Sequence, residues 1–217
     1  MMKQFYKDLA KAKPAENFCT ILFDNMSKGV WKSVENVSDD VDCRKLGDIR
    51  ITKKDGTVIY IDVKDESRFA DEPDKKINKT IIRGRRGTGN LLAEDWNDRY
   101  KEGWKEDGFM RNAKYDYVAV FSWCAKYLLL VDFRKWREVY KKPEFIRERN
   151  GKKQEIVIHH PEDGHDTHGY LNEISKLEKA GVIAAKIFFD YEGTKENPTN
   201  VRSTKVELYD EYFGDIA

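Results

Sequence analysis

Two short stretches hold the side chains with the most chemical potential: Asp48, within Gly47-Asp48-Ile49-Arg50-Ile51, and, with thirteen residues between the two aspartates, Asp62-Val63-Lys64. Side by side, two carboxylates and an amine are the parts for metal-assisted phosphodiester hydrolysis. Carboxylates about 5 Å apart repel, and each holds the other's pKa up unless a positive charge lies between them. A divalent cation resolves that conflict, and carboxylate, carbonyl and water oxygens are the ligand set of Mg²⁺ or Mn²⁺. Such an ion activates a water and polarises a phosphoryl oxygen, while an amine beside it orients or helps deprotonate the water and faces the anionic phosphate.

Register decides whether these groups meet. Gly47–Thr52 and Thr57–Lys64 alternate apolar and polar residues around Asp55-Gly56, a strong hairpin signal. A two-residue Asp55-Gly56 loop sets Asp48 against Val63 and Ile49 against Asp62, mixing apolar and charged side chains on both faces. A three-residue loop, Lys54-Asp55-Gly56 with Gly56 left-handed in a bulge, sets Ile49 against Ile61 and Ile51 against Ile59. Asp48 then faces Asp62 on the other side, with Lys64 two residues along. A one-residue slip exchanges the faces, so the isoleucines select the second register. The competing reading is an exposed hairpin face carrying an Asp62–Arg50 or Lys64–Asp48 ion pair. Acidic-x-Lys occurs only here and at Asp74-Lys75-Lys76, which follows Pro73 and lacks alternation.

The elements around the hairpin follow from periodicity and punctuation. Pro14 opens a helix closed by Gly29, with Phe18, Ile21, Leu22 and Met26 on one face. Trp31–Val37 is a first strand. Residues 65–90, basic and glycine-rich, are expected to form a flexible loop. Leu92, Trp96, Tyr100 and Trp104, spaced at four, predict a helix over 91–108, with the three aromatics in the core. Tyr115–Trp123 and Tyr127–Val131 are strands whose unbroken apolarity suits a sheet centre. Asp132 caps a helix bearing Phe133, Trp136 and Tyr140; Trp123 and Trp136 are assigned to the core. Glu155–His159 is a strand, Asn172–Ala180 a helix ended by Gly181, Val182–Tyr191 a late strand and the rest a polar tail.

The sequence of 217 residues can bury a real core, and its 40% hydrophobic content excludes a disordered chain. No apolar run approaches the roughly 18 residues needed to cross a bilayer, and no signal peptide is evident. Cys19, Cys43 and Cys124 lie far apart without a CxxC, which argues against a disulfide framework or a cysteine–zinc site. A reduced, soluble, cytoplasmic protein of one domain over 1–217 is expected. Its net charge of +1 conceals local asymmetry: Lys75, Lys76, Lys79, Arg83, Arg85 and Arg86 fall in 75–93 with no acid, and 134–153 carries nine basic and three acidic residues. A polyanion responds to such local potential rather than to the total.

Asp48 followed by Asp62-Val63-Lys64 on a hairpin resembles the PD-(D/E)XK nuclease superfamily, and the likeness covers about 14–133, leaving 134–217 as elaboration. The resemblance implies an α/β, restriction-endonuclease-like architecture: a central mixed β-sheet flanked by helices, in the order helix, three strands, helix, strand. It implies that Asp48 and Asp62 hold Mg²⁺ or Mn²⁺, that the Val63 carbonyl adds a ligand, that Lys64 serves the attacking water, and that Glu16 on the first helix joins them loosely. Products would carry 5′-phosphate and 3′-hydroxyl ends. Gly47 stands where the motif has proline, and Asp62 where glutamate is more frequent.

With such a site, the run Lys75–Arg86 becomes a phosphate-binding segment, giving affinity without sequence information. DNA is the expected partner, and a homodimer would suit cutting two strands. A non-catalytic nucleic-acid-binding domain with the same fold is the alternative. His159, His160, His165 and His168, interleaved with acids, read as a polar turn between a strand and a helix; a zinc-stabilised interaction module is the lesser reading.

Overall fold

The computed structural model describes residues 2–43, 45–66, 68–77 and 80–208, and for 2–11, 75–77, 80 and 208 the backbone alone. Helix α1 (Met2–Ser27) begins well before the expected start, with Pro14 inside it. Proline removes one backbone donor, but the helix runs through it. Ala15, Phe18, Cys19, Leu22, Phe23 and Met26 form its buried stripe, while Ile21 is 39% exposed and faces away. Gly29, at φ +80°, ends it.

Strands β1 (Trp31–Asn36), β2 (Ile49–Lys53) and β3 (Val58–Asp65) then form an antiparallel meander. Residues 68–89 leave the end of β3 and return as an arm rather than the expected loose loop. Its two sides are stapled by Glu72 N–H to Arg85 O, Thr88 N–H to Arg68 O and Gly89 N–H to Phe69 O. At its tip lies the short ribbon β4 (Lys75–Ile77)–β5 (Thr80–Ile82).

The helix expected over 91–108 is instead β6 (Asn90–Arg99) and β7 (Trp104–Asp107), paired antiparallel. Asn90 and then Leu91, Ala93, Asp95 and Asn97 are the buried positions of β6, and from Leu91 on they keep a period of two that the aromatic spacing concealed. Tyr100 and Trp104 are each 47% exposed, and half-buried Trp96 stacks on His168, so none of the three is a helical core residue. Before the fourth strand of the sheet the chain thus forms only the four-residue helix α2 (Phe109–Asn112), a departure from the helix, three strands, helix, strand order.

Strands β8 (Tyr117–Ser122) and β9 (Tyr127–Asp132) follow, and all six residues of β8 are buried. Asp132 caps α3 (Phe133–Val139) through the Lys135 N–H, and Phe133, Trp136 and Tyr140 are buried. The histidines lie in a β-hairpin, β10 (Ile156–His160) with β11 (His165–Glu173), not in a turn leading to a helix. Helix α4 (Ile174–Lys179), β12 (Ile183–Gly193) and β13 (Pro198–Leu208) complete the chain; the last is a strand where a polar tail was expected.

The architecture is mixed α/β. A seven-stranded sheet runs β1-β2-β3-β8-β9-β12-β13, antiparallel except for the parallel β3–β8 pair. Helix α1 covers one face, joining Phe18, Leu22 and Phe23 to Ile49, Ile51, Ile61, Phe121 and Phe189. The opposite face receives α3, α4 and a four-stranded sheet, β10-β11-β6-β7, around Val118, Val120, Val131, Leu91, Phe133 and Trp136. Burial on both faces explains the continuous apolarity of β8. Among the described residues, no helix is long and apolar enough to cross a membrane.

Candidate active site

The hairpin β2–β3 takes the three-residue-loop register: Ile49 pairs with Ile61 and Ile51 with Ile59, all four buried. Gly56 is left-handed at φ +88°, and the Lys53 N–H closes onto Thr57 O at 2.8 Å. The isoleucines face α1, so Asp62 and Lys64, at alternate positions of β3, face the other way.

Asp48 lies just past the β2 end of this ladder and is held on both sides. Its N–H donates to Ile61 O (2.9 Å), and its carbonyl accepts from Val37 N–H (2.7 Å) on the β1 side. Gly47 makes this approach possible: at φ +132° it turns the chain, and a Cβ there would lie 2.9 Å from Ile61 O. The Asp48 carboxylate then folds onto β3, where Oδ2 accepts the Val63 N–H at 2.8 Å. A strand residue's N–H and C=O project to the same side, so the Val63 carbonyl also faces this edge, beyond the last β2 pair.

The electrostatics are unbalanced toward negative charge. Burial, then the charge of Asp62, pushes the Asp48 carboxyl up to about 7, against the opposing pull of the Val63 N–H and Lys64. Asp62 is 9% exposed, and its Oδ2 lies 2.8 Å from Lys64 Nζ. Burial works against the Lys64 ammonium, but Asp62, Asp48 and Glu94 outweigh it and raise its pKa. The amine also sits over the Phe109 ring, 5.3 Å from the centroid. Arg50 pairs with Glu35 at 2.5 Å, so the cross-strand Asp62–Arg50 pair does not form.

Glu16 reaches the same cluster from α1. It is 3% exposed, and among the described residues its Oε2 has no hydrogen-bond partner. Burial raises its pKa; Ser38 and Lys13 pull it down, while Asp39 and Asp62 add to the rise. The structure therefore brings Glu16, Asp48, Asp62 and Lys64 within electrostatic reach of one another.

Among the described residues, no group of three or more His, Cys, Asp or Glu side chains is spaced to hold a metal ion. The donor set still fits a hard divalent cation with two inner carboxylates, Asp48 and Asp62, a strand carbonyl and water. The unpartnered Glu16 oxygen and the raised Asp48 are what acids lacking a counter-charge display.

Glu94 was not anticipated. Glu94 lies on β6 and, with Lys64, Glu66 and Phe109, lines a cavity of about 140 Å³. Treating 91–108 as a helix hid it; the alternation Leu91, Ala93, Asp95 was the available signal. Of the basic segment, Arg83 and Arg86 are exposed, whereas Arg85 pairs with Glu72 at 2.9 Å. Lys75 and Lys76 lie in β4, described by backbone alone, and Lys79 lies outside the described residues.

The histidines do not converge. His159 pairs with Asp166 (3.0 Å), His160 stacks on His165 (4.5 Å), and His168 lies against Trp96 (3.6 Å) with Glu155 at 3.4 Å. Comparison of the chain with protein-family models, curated proteins and solved structures finds no match.

Proposed function

We propose that the chain is a Mg²⁺- or Mn²⁺-dependent nuclease of restriction-endonuclease-like design, hydrolysing phosphodiester bonds in DNA. The observation that carries this reading is the clustering of Asp48, Asp62 and Lys64 on one face of the β2–β3 ribbon, with excess negative charge. The parallel β3–β8 pair beside an antiparallel meander supports the family design.

Asp48 and Asp62 would hold the cation, with the Val63 carbonyl as a further ligand and Glu16 outside them. A bound ion would supply Lewis acidity at a phosphoryl oxygen and would lower the pKa of a coordinated water. Asp62 keeps Lys64 in place, and the raised pKa keeps that amine an ammonium, suited to donating to the phosphate or the attacking water rather than to removing its proton. Exposed Arg83 and Arg86 add phosphate contacts that position the strand without reading its bases.

A second reading, a nucleic-acid-binding domain without catalysis, draws on the internal engagement of the acids: Asp62 by Lys64, and Asp48 by the Val63 N–H. Cleavage assays on duplex, branched and single-stranded DNA and on RNA, with Mg²⁺ or Mn²⁺, separate the two. Metal-dependent cleavage abolished by Asp62→Ala supports the nuclease. Salt-sensitive binding without cleavage, and without heat on Mn²⁺ titration, would instead establish the binding domain.

A further inference from the structure

The arm over 68–89 is anchored at its base and bare at its tip. At the base Phe69 and Ala70 are buried, the Phe69 ring meets Tyr127 edge-on with centroids 5.4 Å apart, and Gly89 O accepts the Ile174 N–H at 2.9 Å. Further out its two sides press together: a Cβ on Gly84 would lie 1.8 Å from Glu72 O, and one on Gly87 2.3 Å from the Ala70 carbonyl carbon. The acids of the arm serve this seam. Asp71 Oδ1 accepts the Gly87 N–H at 2.7 Å, Asp74 Oδ1 accepts the Gly84 N–H at 2.8 Å, and Glu72 pairs with Arg85 at 2.9 Å. Arg83 and Arg86 are left exposed.

At the tip, Ile81 is 66% exposed and Ile82 49%. Successive strand residues point to opposite faces, so the β4–β5 ribbon presents an aliphatic side chain to solvent on each. A two-stranded ribbon is marginal in water by itself, and nakedness on both faces calls for a partner. Charge says which. The arm carries seven basic and three acidic residues, a net +4 in a chain of net +1. Two such tips repel one another, whereas a polyanion is drawn to them. Shape narrows the choice: the major groove of B-form DNA admits a two-stranded ribbon, and the deep, narrow major groove of A-form RNA does not.

We infer that the arm seats its β4–β5 ribbon in the major groove of duplex DNA, with Ile81 and Ile82 packing on base edges and Arg83 and Arg86 bonding the flanking phosphates. The inference rests on the nuclease reading for its nucleic-acid partner and deepens it by naming a B-form duplex as the substrate class. The arm grows out of the two strands that border the proposed site. It begins four residues after Lys64, at most about 14 Å of extended chain, and returns into β6, whose Glu94 lines a cavity with Lys64.

The test measures fluorescence anisotropy of the full chain in EDTA, across a range of salt, with duplex DNA, single-stranded DNA and duplex RNA of one sequence. Wild type should bind duplex DNA most tightly. Arg83→Ala/Arg86→Ala should weaken that binding and reduce the slope of log K against log salt by about 2. Ile81→Ser/Ile82→Ser should weaken it by on the order of tenfold while leaving the salt slope and the single-strand affinity unchanged. Both variants should keep the wild-type thermal midpoint, since the side chains are exposed. Duplex RNA bound as tightly as duplex DNA overturns the assignment, as does unchanged duplex affinity or a clearly lower midpoint in the isoleucine variant. A wild-type dimer that this variant disperses in sedimentation overturns it too, and would make a second copy the occupant. Metal-dependent cleavage by wild type with no effect of the arm variants on binding sinks the arm alone; duplex binding that needs Ile81 and Ile82, without cleavage in Mn²⁺, sinks the nuclease reading and leaves the arm standing.

Discussion

β2–β3 and β10–β11 are both antiparallel ribbons loaded with side chains able to bind metals or protons, yet they dispose of them in opposite ways. On β10–β11 the histidines engage separate local neighbours: His159 has Asp166, His160 has Thr167 and the ring of His165, and His168 has Trp96 and Glu155, while His165 Nδ1 is buried without a hydrogen-bond partner among the described residues. On β2–β3, the charge of Asp62 adds to burial in raising Asp48, Glu16 adds a third acid, and Lys64 is a cation that bears on both aspartates. Residue type alone therefore does not distinguish a site from a solvated hairpin. Charge that the fold gathers and leaves unbalanced does, because carrying it costs stability unless a ligand offsets it.

The widest separation of the two ribbons should come from kinetics. On the proposed nuclease reading, where Asp48 would be a metal ligand, Asp48→Ala is expected to lower metal-dependent cleavage by on the order of 10³-fold or more, while His159→Ala leaves the rate within about threefold. Comparable losses from both variants would erase the contrast and bring the histidine ribbon into the catalytic machinery.

Stability against pH sharpens it further. The Asp48 carboxyl is pushed above its unfolded value to about 7. The folded chain therefore binds the extra proton, and this contribution is whole below the unfolded pKa of about 4 and lost as pH rises through the folded value. Without divalent cations, the thermal midpoint should fall between pH 5 and pH 8, and Asp48→Asn, which keeps an acceptor for the Val63 N–H, should flatten that fall. Added Mn²⁺ should raise the midpoint more at pH 8 than at pH 5, since the proton must leave for the ion to bind. An equal response at both pH values would contradict this picture.

The smallest effects belong to the histidine ribbon. His168→Ala loses the stack on Trp96 and should cost about 1 kcal/mol. His159→Ala, with a ring 74% exposed, should cost less than about 0.5 kcal/mol, and a zinc chelator should alter neither unfolding curve. Denaturant titration of the two variants measures both. A chelator-sensitive midpoint would show that the ribbon holds a metal after all.

The parts of this protein legible in advance are those where one rule acts without competition. Ile49, Ile51, Ile59 and Ile61 could be buried together in a single register only, and Asp55-Gly56 supplied the turn that closes it. The Asp132 cap was legible through its residue type. The second sheet was not, because its buried face includes polar side chains. Asp95 is 2% exposed, and although burial opposes its charge, hydrogen bonds from Arg111, Lys141 and Tyr140 hold its carboxyl well below the usual range. Once Asp95 and Asn97 are counted as surface residues, the alternation vanishes and Leu92, Trp96, Tyr100 and Trp104 simulate a helix. The arm over 68–89 was hidden for another reason: its order comes from backbone bonds between its two sides, which composition does not report.

Local order along the chain was enough to specify the β2–β3 ribbon, its register and the side on which Asp48, Asp62 and Lys64 stand, because strand alternation and turn chemistry act over a few residues. Contacts between distant segments decided the rest. Folding brought Glu16 and Glu94 to that ribbon from a helix and a second sheet, and burial among those elements raised the Asp48 carboxyl and left one Glu16 oxygen without a hydrogen-bond partner among the described residues. Desolvation and unmet hydrogen bonds are properties of a packed environment, so no reading of neighbours in sequence contains them.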